Sequence, residues 1–287
     1  MGTDAGTAAT QHEVAPPEAW DAIAAGYDEF VAPGEAPFAH AGLVLAGLEE
    51  GDRFLDVAAG TGGLSLPAAR LGARVLATDW SPAMLERFRA RVREEGLGDA
   101  EARVMDAHAL DIEDESFDVT GSQFGVMLVP DQPVALREMV RVTRPGGRVL
   151  VIAYGSPAEF EALQLFLAAL RAVLPEFEGL PDDPPPLEFQ VADPDELRQR
   201  LVDAGLSDVT VDTTHRERIE VRSGQALWDW MLGSNPIAGA IVGDLTADQQ
   251  ATVRQILDGM VRDRSDGERP ALLTAPLNVG IGTKCGR

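Results

Sequence analysis

Phe54-Leu55-Asp56-Val57-Ala58-Ala59-Gly60-Thr61-Gly62-Gly63 is the stretch that decides the fold. An almost wholly apolar run that ends in glycines reads as a buried strand delivering a tight loop to the carboxyl edge of a sheet. Open α/β sheets bind their ligands at that edge. Gly60 and Gly62 carry no Cβ, so a ligand can approach their backbone. Residues 64–71 then read as a helix and residues 74–79 as a second strand. Ser81-Pro82 supplies an N-cap serine and a proline at the first position of the next helix.

The same alternation continues downstream. Residues 103–105 and 117–122 read as strands and 133–142 as a helix. Arg144-Pro145-Gly146-Gly147 reads as a turn before an apolar strand over 148–154. Strands alternating with helices predict βαβ units and a doubly wound, mostly parallel α/β sheet. Upstream, one helix starts at Pro17 and another covers 37–48. Beyond residue 154 the pattern loosens into a helix over 160–174, a proline-rich loop over 180–186, a helix over 193–204 and a strand over 209–221. A helical block over 223–264 and a last strand over 272–281 follow. The expected division is a loose tail over 1–14, N-terminal helices over 15–50 forming part of a cap, a core over 51–222, a cap insertion over 223–264, and a final core strand over 265–287.

Composition narrows the function classes. The formal net charge is −23, which repels phosphate backbones, so nucleic acid is not the expected partner. Cys285 is the only cysteine, which excludes an intramolecular disulfide and a cysteine-based metal site; no metal is expected. No secretory pattern opens the chain, and the most apolar late stretch, 226–242, contains Asp229, Asn235 and Pro236. A cytoplasmic protein without a membrane segment is expected, with a homodimer as an open alternative.

Two further acids stand at strand ends. Asp79 lies nineteen residues after Gly60, where a carboxylate can accept both hydroxyls of a ribose. Asp106 follows the third strand and can face an adenine amine. Each acid also has a plainer use in a turn or a helix cap. A dinucleotide site would want glycine or alanine where Ser65 stands, and no phosphate-binding lysine follows the loop.

Together the loop, Asp79-Trp80-Ser81-Pro82-Ala83-Met84-Leu85, Asp106-Ala107 and Arg141-Val142-Thr143-Arg144-Pro145-Gly146-Gly147 resemble class I S-adenosylmethionine-dependent methyltransferases. The group most resembled is the ubiquinone/menaquinone-biosynthesis C-methyltransferases and their small-molecule relatives. The likeness covers residues 20–155 and includes Tyr27-Asp28. It implies a Rossmann-like fold with a helical cap and S-adenosylmethionine as cofactor. By position, Ala58, Gly60 and Gly62 would line its methionine part, with Asp56 behind them and Gln123 beside it. Asp79 would hold the ribose, Trp80 and Met84 would pack nearby, Asp106 and Ala107 would meet the adenine edge, and Tyr27 would close over the cofactor. Ala58 departs from the family's usual glycine; its methyl group fits if its φ is negative.

The acceptor is a small molecule, expected to be aromatic, quinone-like or another metabolite. Phe124, Met127, Leu128, Trp228, Trp230, Met231 and Leu232 are its candidate pocket, although the tryptophans at helical spacing also suit the cap's own core. Of the four histidines, His12 falls in the tail, His108 sits beside Asp106, His215 falls within a strand, and His40 could face the pocket. No catalytic base is assigned. A nicotinamide oxidoreductase and a non-catalytic binding protein are the competing classes.

Overall fold

The computed structural model describes residues 15–265 and 269–286; the expected tail over 1–14 and His12 lie outside them. The strands are β1 (Arg53–Val57), β2 (Arg74–Asp79), β3 (Ala100–Val104), β4 (Phe117–Gln123), β5 (Thr143–Tyr154), β6 (Leu206–Asp212), β7 (Arg216–Val221) and β8 (Ala271–Lys284). Helices α1 (Pro17–Gly26), α2 (Ala36–Leu45), α3 (Ser65–Arg70), α4 (Pro82–Glu95), α5 (Gln132–Val142), α6 (Glu161–Val173), α7 (Pro194–Asp203), α8 (Gly224–Ser234), α9 (Pro236–Gly243) and α10 (Ala247–Arg264) connect or cover them.

One sheet runs in the order β3-β2-β1-β4-β5-β8-β6, with β7 also pairing β8. The β3-to-β5 part is parallel, and β8 is antiparallel to β5, β6 and β7. Strand order reverses between β1 and β4, which opens the crevice at the carboxyl edge where such sheets bind ligands. The Rossmann-like, mostly parallel sheet is therefore the observed architecture.

Two core clusters divide the apolar residues. The first is built on Phe54, Leu55, Val57, Leu150 and Ile152 under the sheet's helices. The second joins α6, α8 and α10 to the far half of β8 through Phe166, Leu227, Trp228, Val253, Leu257 and Leu273. Thr246 and Gln249 form a reciprocal capping box at the start of α10, and Ser81 caps α4 by accepting from Met84 N–H at 3.1 Å.

Three local expectations change. The strand expected over 209–221 is two strands, β6 and β7, separated by Thr213 to His215, so His215 lies between strands. The expected turn at Arg144-Pro145-Gly146-Gly147 is carried inside β5, with Gly146 at φ +74° and a register shift against β4. Ala58 has φ +55°, not a negative value; a left-handed alanine costs about 1–2 kcal/mol relative to glycine, and the surrounding loop holds it there.

Candidate active site

The carboxyl ends of β2, β1, β4 and β5 lie side by side and bring Asp79, Asp56, Gln123 with Phe124, and Tyr154 along one edge. Over that edge is a cavity whose lining runs from Gly60, Asp79 and Trp80 to Phe160, Trp230 and Met231. The lining joins the glycine loop and the ends of β1 and β2 to residues of β4, β5 and α8 in one continuous space. A smaller neighbouring pocket shares Ala58, Asp79, Trp80 and Val129 and adds Met105, Asp106, Ala107 and His108.

The glycine loop is held from below. Asp79 accepts from Gly60 N–H through Oδ2 at 2.9 Å and from Ser81 N–H through Oδ1 at 2.8 Å. Burial pushes its carboxyl up to about 6, and those backbone bonds work against the rise. A carboxylate offers about four lone-pair directions, so acceptor capacity remains for a ligand. Gly60 has φ +54°, and a side chain built on it would meet nothing within 4 Å; the space beside it is open to a ligand.

Asp56 is buried on β1. Its Oδ2 accepts from Ser65 Oγ at 2.6 Å, while its Oδ1 has no hydrogen-bond partner among the described residues. Burial pushes this carboxyl up to about 7, with the Ser65 bond pulling the other way. Ser65, the residue that disfavours a dinucleotide loop, is thus occupied by Asp56. An orphaned carboxylate oxygen in a buried site is paired when a cation or donor arrives.

A third buried acid, Glu35, was not foreseen. It stands just before α2 and accepts from Tyr27 Oη at 2.5 Å. Burial pushes it up to about 7, while the Tyr27 bond and the Arg91 charge hold it down. A Cβ on Gly63 would stand 2.0 Å from Glu35 Oε2, so only glycine leaves room for this acid against the loop. Glu35 is the only carboxylate between Phe30 and Leu48; an acid isolated in so apolar a run was its signal. Tyr27 opens a π-helical turn, Tyr27–Val31, that directs it into the cavity with Val31. The N-terminal helix is fastened by Asp21, whose Oδ1 accepts from Ser81 Oγ at 2.6 Å and Ala83 N–H at 3.0 Å.

The remaining expected residues divide. Tyr27, Asp56, Ala58, Gly60, Asp79, Trp80, Met84 and Gln123 line the large cavity, as do Phe124, Met127, Leu128 and Met231. Asp106 and Ala107 line the smaller pocket, where His108 bonds Asp106 Oδ1 at 2.6 Å. Burial opposes it, but the His108 bonds hold the Asp106 carboxyl below its usual range. Three expectations are corrected. Gly62 does not line the cavity: at φ +98° it lets Phe88 pack where its Cβ would be, at 2.4 Å. On α8, Trp228 faces away, tilted against Phe166 with Arg254 over its ring, and Leu232 also lies outside the lining, whereas Trp230 and Met231 line the cavity. His40 is exposed on α2.

Also unforeseen are Tyr154, Phe160 and Glu217. Phe124, itself at φ +56°, stacks on Tyr154 at 4.4 Å, and Tyr154 lies 4.7 Å from Phe160, whose ring meets Trp230 edge-on at 6.1 Å. Tyr154 Oη donates to Glu217 Oε2 at 2.9 Å. No lysine, arginine or histidine lines the large cavity among the described residues, whereas Glu35, Asp56, Asp79 and Glu188 do. Among the described residues no cluster of potential metal ligands is present and no helix is long and apolar enough to cross a membrane.

Comparison with known proteins matches this architecture. A methyltransferase-domain family model covers residues 55–151. An uncharacterized protein of Mycobacterium tuberculosis is 35% identical over 239 residues, covering 81% of this chain and 82% of that protein. A demethylmenaquinone methyltransferase of a Mycobacterium species (strain KMS) is 34% identical over 209 residues, covering 69% of this chain and 87% of that enzyme. Among solved structures, the YcgJ protein of Bacillus subtilis superposes with a TM-score of 0.55 at 17% identity, covering 86% of this chain and all of that one. A phosphoethanolamine N-methyltransferase of Haemonchus contortus gives 0.57 at 18% identity over 93% of this chain and 58% of that chain. The extent of the match to the demethylmenaquinone enzyme, on the fold and loop described, means that the chain belongs to the class I S-adenosylmethionine-dependent methyltransferases.

Proposed function

We propose that the enzyme methylates a hydroxylated aromatic small molecule of the demethylmenaquinone kind. The observation that carries this is the division of one cavity into an acidic end at β2 and β1 and an aromatic end at β4, β5 and α8. The names of the relatives point the same way.

The residues present fit the cofactor. Asp79 would take the ribose hydroxyls with its spare lone pairs, and Asp106 and Ala107 would border the adenine. The orphaned Asp56 oxygen and Glu35 are suited to the positive methionine end, since a cation discharges the cost of burying two carboxylates. When bound, S-adenosylmethionine supplies a methyl group already activated on a positively charged sulfur. The chain's part is then placement: proximity and orientation can lower a barrier by about 7–11 kcal/mol. Tyr27, Trp20, Trp230 and Met231 cover the site from α1, its π-helical turn and α8, and exclude water.

Residues 15–50 and 223–264 therefore act as a cap on the cofactor-binding core. A cytoplasmic enzyme free of nucleic acid accords with the charge of −23. The test is incubation with S-adenosylmethionine and a panel of naphthols, quinols, amines and sugars. A product heavier by one methyl group should form with the hydroxylated aromatics. Methylation confined to the sugars or alkylamines would refute the acceptor class.

A further inference from the structure

The two tyrosine–carboxylate pairs of the cavity occupy different places. Tyr27–Glu35 lies against the glycine loop at Gly63. Tyr154 ends β5, two strands from β1, which is roughly 10 Å along the sheet edge at ~4.8 Å per strand. It therefore lies over the aromatic end, beyond the loop. Its ring is fixed between Phe124 and Phe160, and its hydroxyl is fixed by Glu217. Glu217 is 1% exposed and does not itself line the cavity. It reaches the ligand space only through Tyr154.

We propose that Tyr154, backed by Glu217, receives the hydroxyl proton of an uncharged aromatic acceptor. This rests on the methyl-transfer assignment above and adds the acceptor's charge and the route of its proton. The acceptor hydroxyl donates to Tyr154 Oη, whose own proton points at Glu217 Oε2. In the transfer the acceptor O–H bond breaks and an Oη–H bond forms, while the original Oη–H bond breaks and an Oε2–H bond forms. The electron pair left on the acceptor oxygen attacks the methyl carbon, directly or through the ring, as the methyl–sulfur bond breaks and its electrons stay on sulfur; in attack through the ring, the ring C–H proton then passes to the acceptor oxygen. Glu217 ends neutral and Tyr154 is unchanged. One negative charge on Glu217 is lost for the one positive charge lost from the donor, so the buried site gains no net charge.

The surroundings favour this role. Burial pushes the Glu217 carboxyl up to about 8, the Tyr154 bond opposes the rise, and the Glu35 charge adds to it. Tyr27, Tyr154 and Glu35 are the titratable groups acting with it, and no cation is among them. A positive donor in the cavity favours ionised Glu217, so the acceptor of the proton is made ready when the donor arrives. A cavity lined by acids and by no cation rejects a carboxylate or phosphate on the acceptor.

The test uses 2-naphthol, its methyl ether 2-methoxynaphthalene, and 6-hydroxy-2-naphthoate as probes. Each is titrated by calorimetry into the full chain with S-adenosylhomocysteine present. Wild type should bind 2-naphthol at least tenfold more tightly than either the ether or the carboxylate. Tyr154→Phe should erase the preference over the ether while holding S-adenosylhomocysteine affinity within twofold, which shows that the variant is folded. With the cationic donor analogue sinefungin, the near-ultraviolet spectrum should show bound naphtholate in wild type. Glu217→Gln, which keeps an oxygen for Tyr154, should lose that band with naphthol affinity within threefold. Equal losses for naphthol and ether in Tyr154→Phe would reduce Tyr154 to a stacking surface. A naphtholate band that survives Glu217→Gln, no naphtholate band in wild type, no naphthol binding by wild type, or tight naphthoate binding would each overturn the proposal. Failure of wild type to bind S-adenosylhomocysteine would instead strike the methyl-transfer assignment.

Discussion

Gly60 donates its backbone N–H to Asp79 Oδ2 at 2.9 Å, so the glycine loop and the acid ending the neighbouring strand are joined by the protein itself. Asp79 has two duties, shaping the loop and presenting its remaining lone pairs to the ribose.

Asp79→Asn and Asp79→Ala should therefore differ. The amide keeps one acceptor oxygen but loses the charge, and should weaken S-adenosylhomocysteine binding about 10- to 100-fold, on the scale of one charge-assisted bond of ~1.5–3 kcal/mol. Alanine frees Gly60 N–H and Ser81 N–H as well and should also lower stability by about 1–3 kcal/mol. Calorimetry and urea unfolding measure the two quantities. Wild-type affinity in Asp79→Asn would remove Asp79 from the cofactor site.

Gly63→Ala should impair the site more than the fold. The new methyl would stand 2.0 Å from Glu35 Oε2 and 2.9 Å from Gln123 Nε2, so Glu35 must swing away from the loop. Donor affinity should fall at least tenfold, about 1.4 kcal/mol or more, while the melting temperature moves by only a few degrees. Gly224→Ala should do the reverse. Its methyl would meet the Asp258 backbone nitrogen at 2.2 Å, and overpacking α8 on α10 costs about 1–3 kcal/mol. Equal effects of both variants on donor affinity would contradict this separation.

Much of the fold was legible because strand and helix periods are local. Residues 53–154 carry strand and helix periods clear enough to show a mostly parallel sheet, although no helix separates β3 from β4. The site was less so, because it is assembled from distant elements. Trp228 and Trp230 could not be told apart because two residues on a helix differ by about 200° around its axis, and the sequence does not say which side meets the cavity. Glu217 was nevertheless detectable: it shares the buried face of β7 with Ile219 and Val221, at period two, while Arg216, Arg218 and Glu220 are exposed. Ala58 could not be read, since its positive φ comes from the closed loop and not from its own preference.

Donor binding should strengthen with pH. The folded enzyme holds Asp79 near 6, Asp56 and Glu35 near 7 and Glu217 near 8, all above the ~4 of an unfolded carboxyl. Raised carboxyls make the folded state bind more protons, so their stabilisation is fully present below about pH 4 and is lost as pH rises through 6 to 8. A positively charged donor favours the ionised forms, so its binding should release protons and its affinity should rise between pH 5.5 and 8.5. Thermal melts of the free enzyme should show the opposite trend through the same window. An affinity for S-adenosylmethionine independent of pH there would show that these acids do not face it.

Closure of the cap should appear in hydrogen exchange. Trp20, Tyr27 and Val31 share the cavity wall with Trp230, Met231 and Ser234, so a ligand between them joins the two segments. S-adenosylhomocysteine should slow exchange in residues 17–32 and in parts of 223–264. Protection confined to the neighbourhoods of Gly60, Asp79 and Asp106 would rule out a closing cap.

Calorimetric titration of the full chain with S-adenosylhomocysteine and, separately, with NAD tests the central claim most directly, because both ligands would bring a ribose to Asp79 and only one suits a loop occupied by Ser65 and an acidic cavity. The expected result is saturable one-to-one binding of S-adenosylhomocysteine, weakened in Asp79→Asn, and no measurable heat with NAD. Binding of NAD without binding of S-adenosylhomocysteine would contradict it.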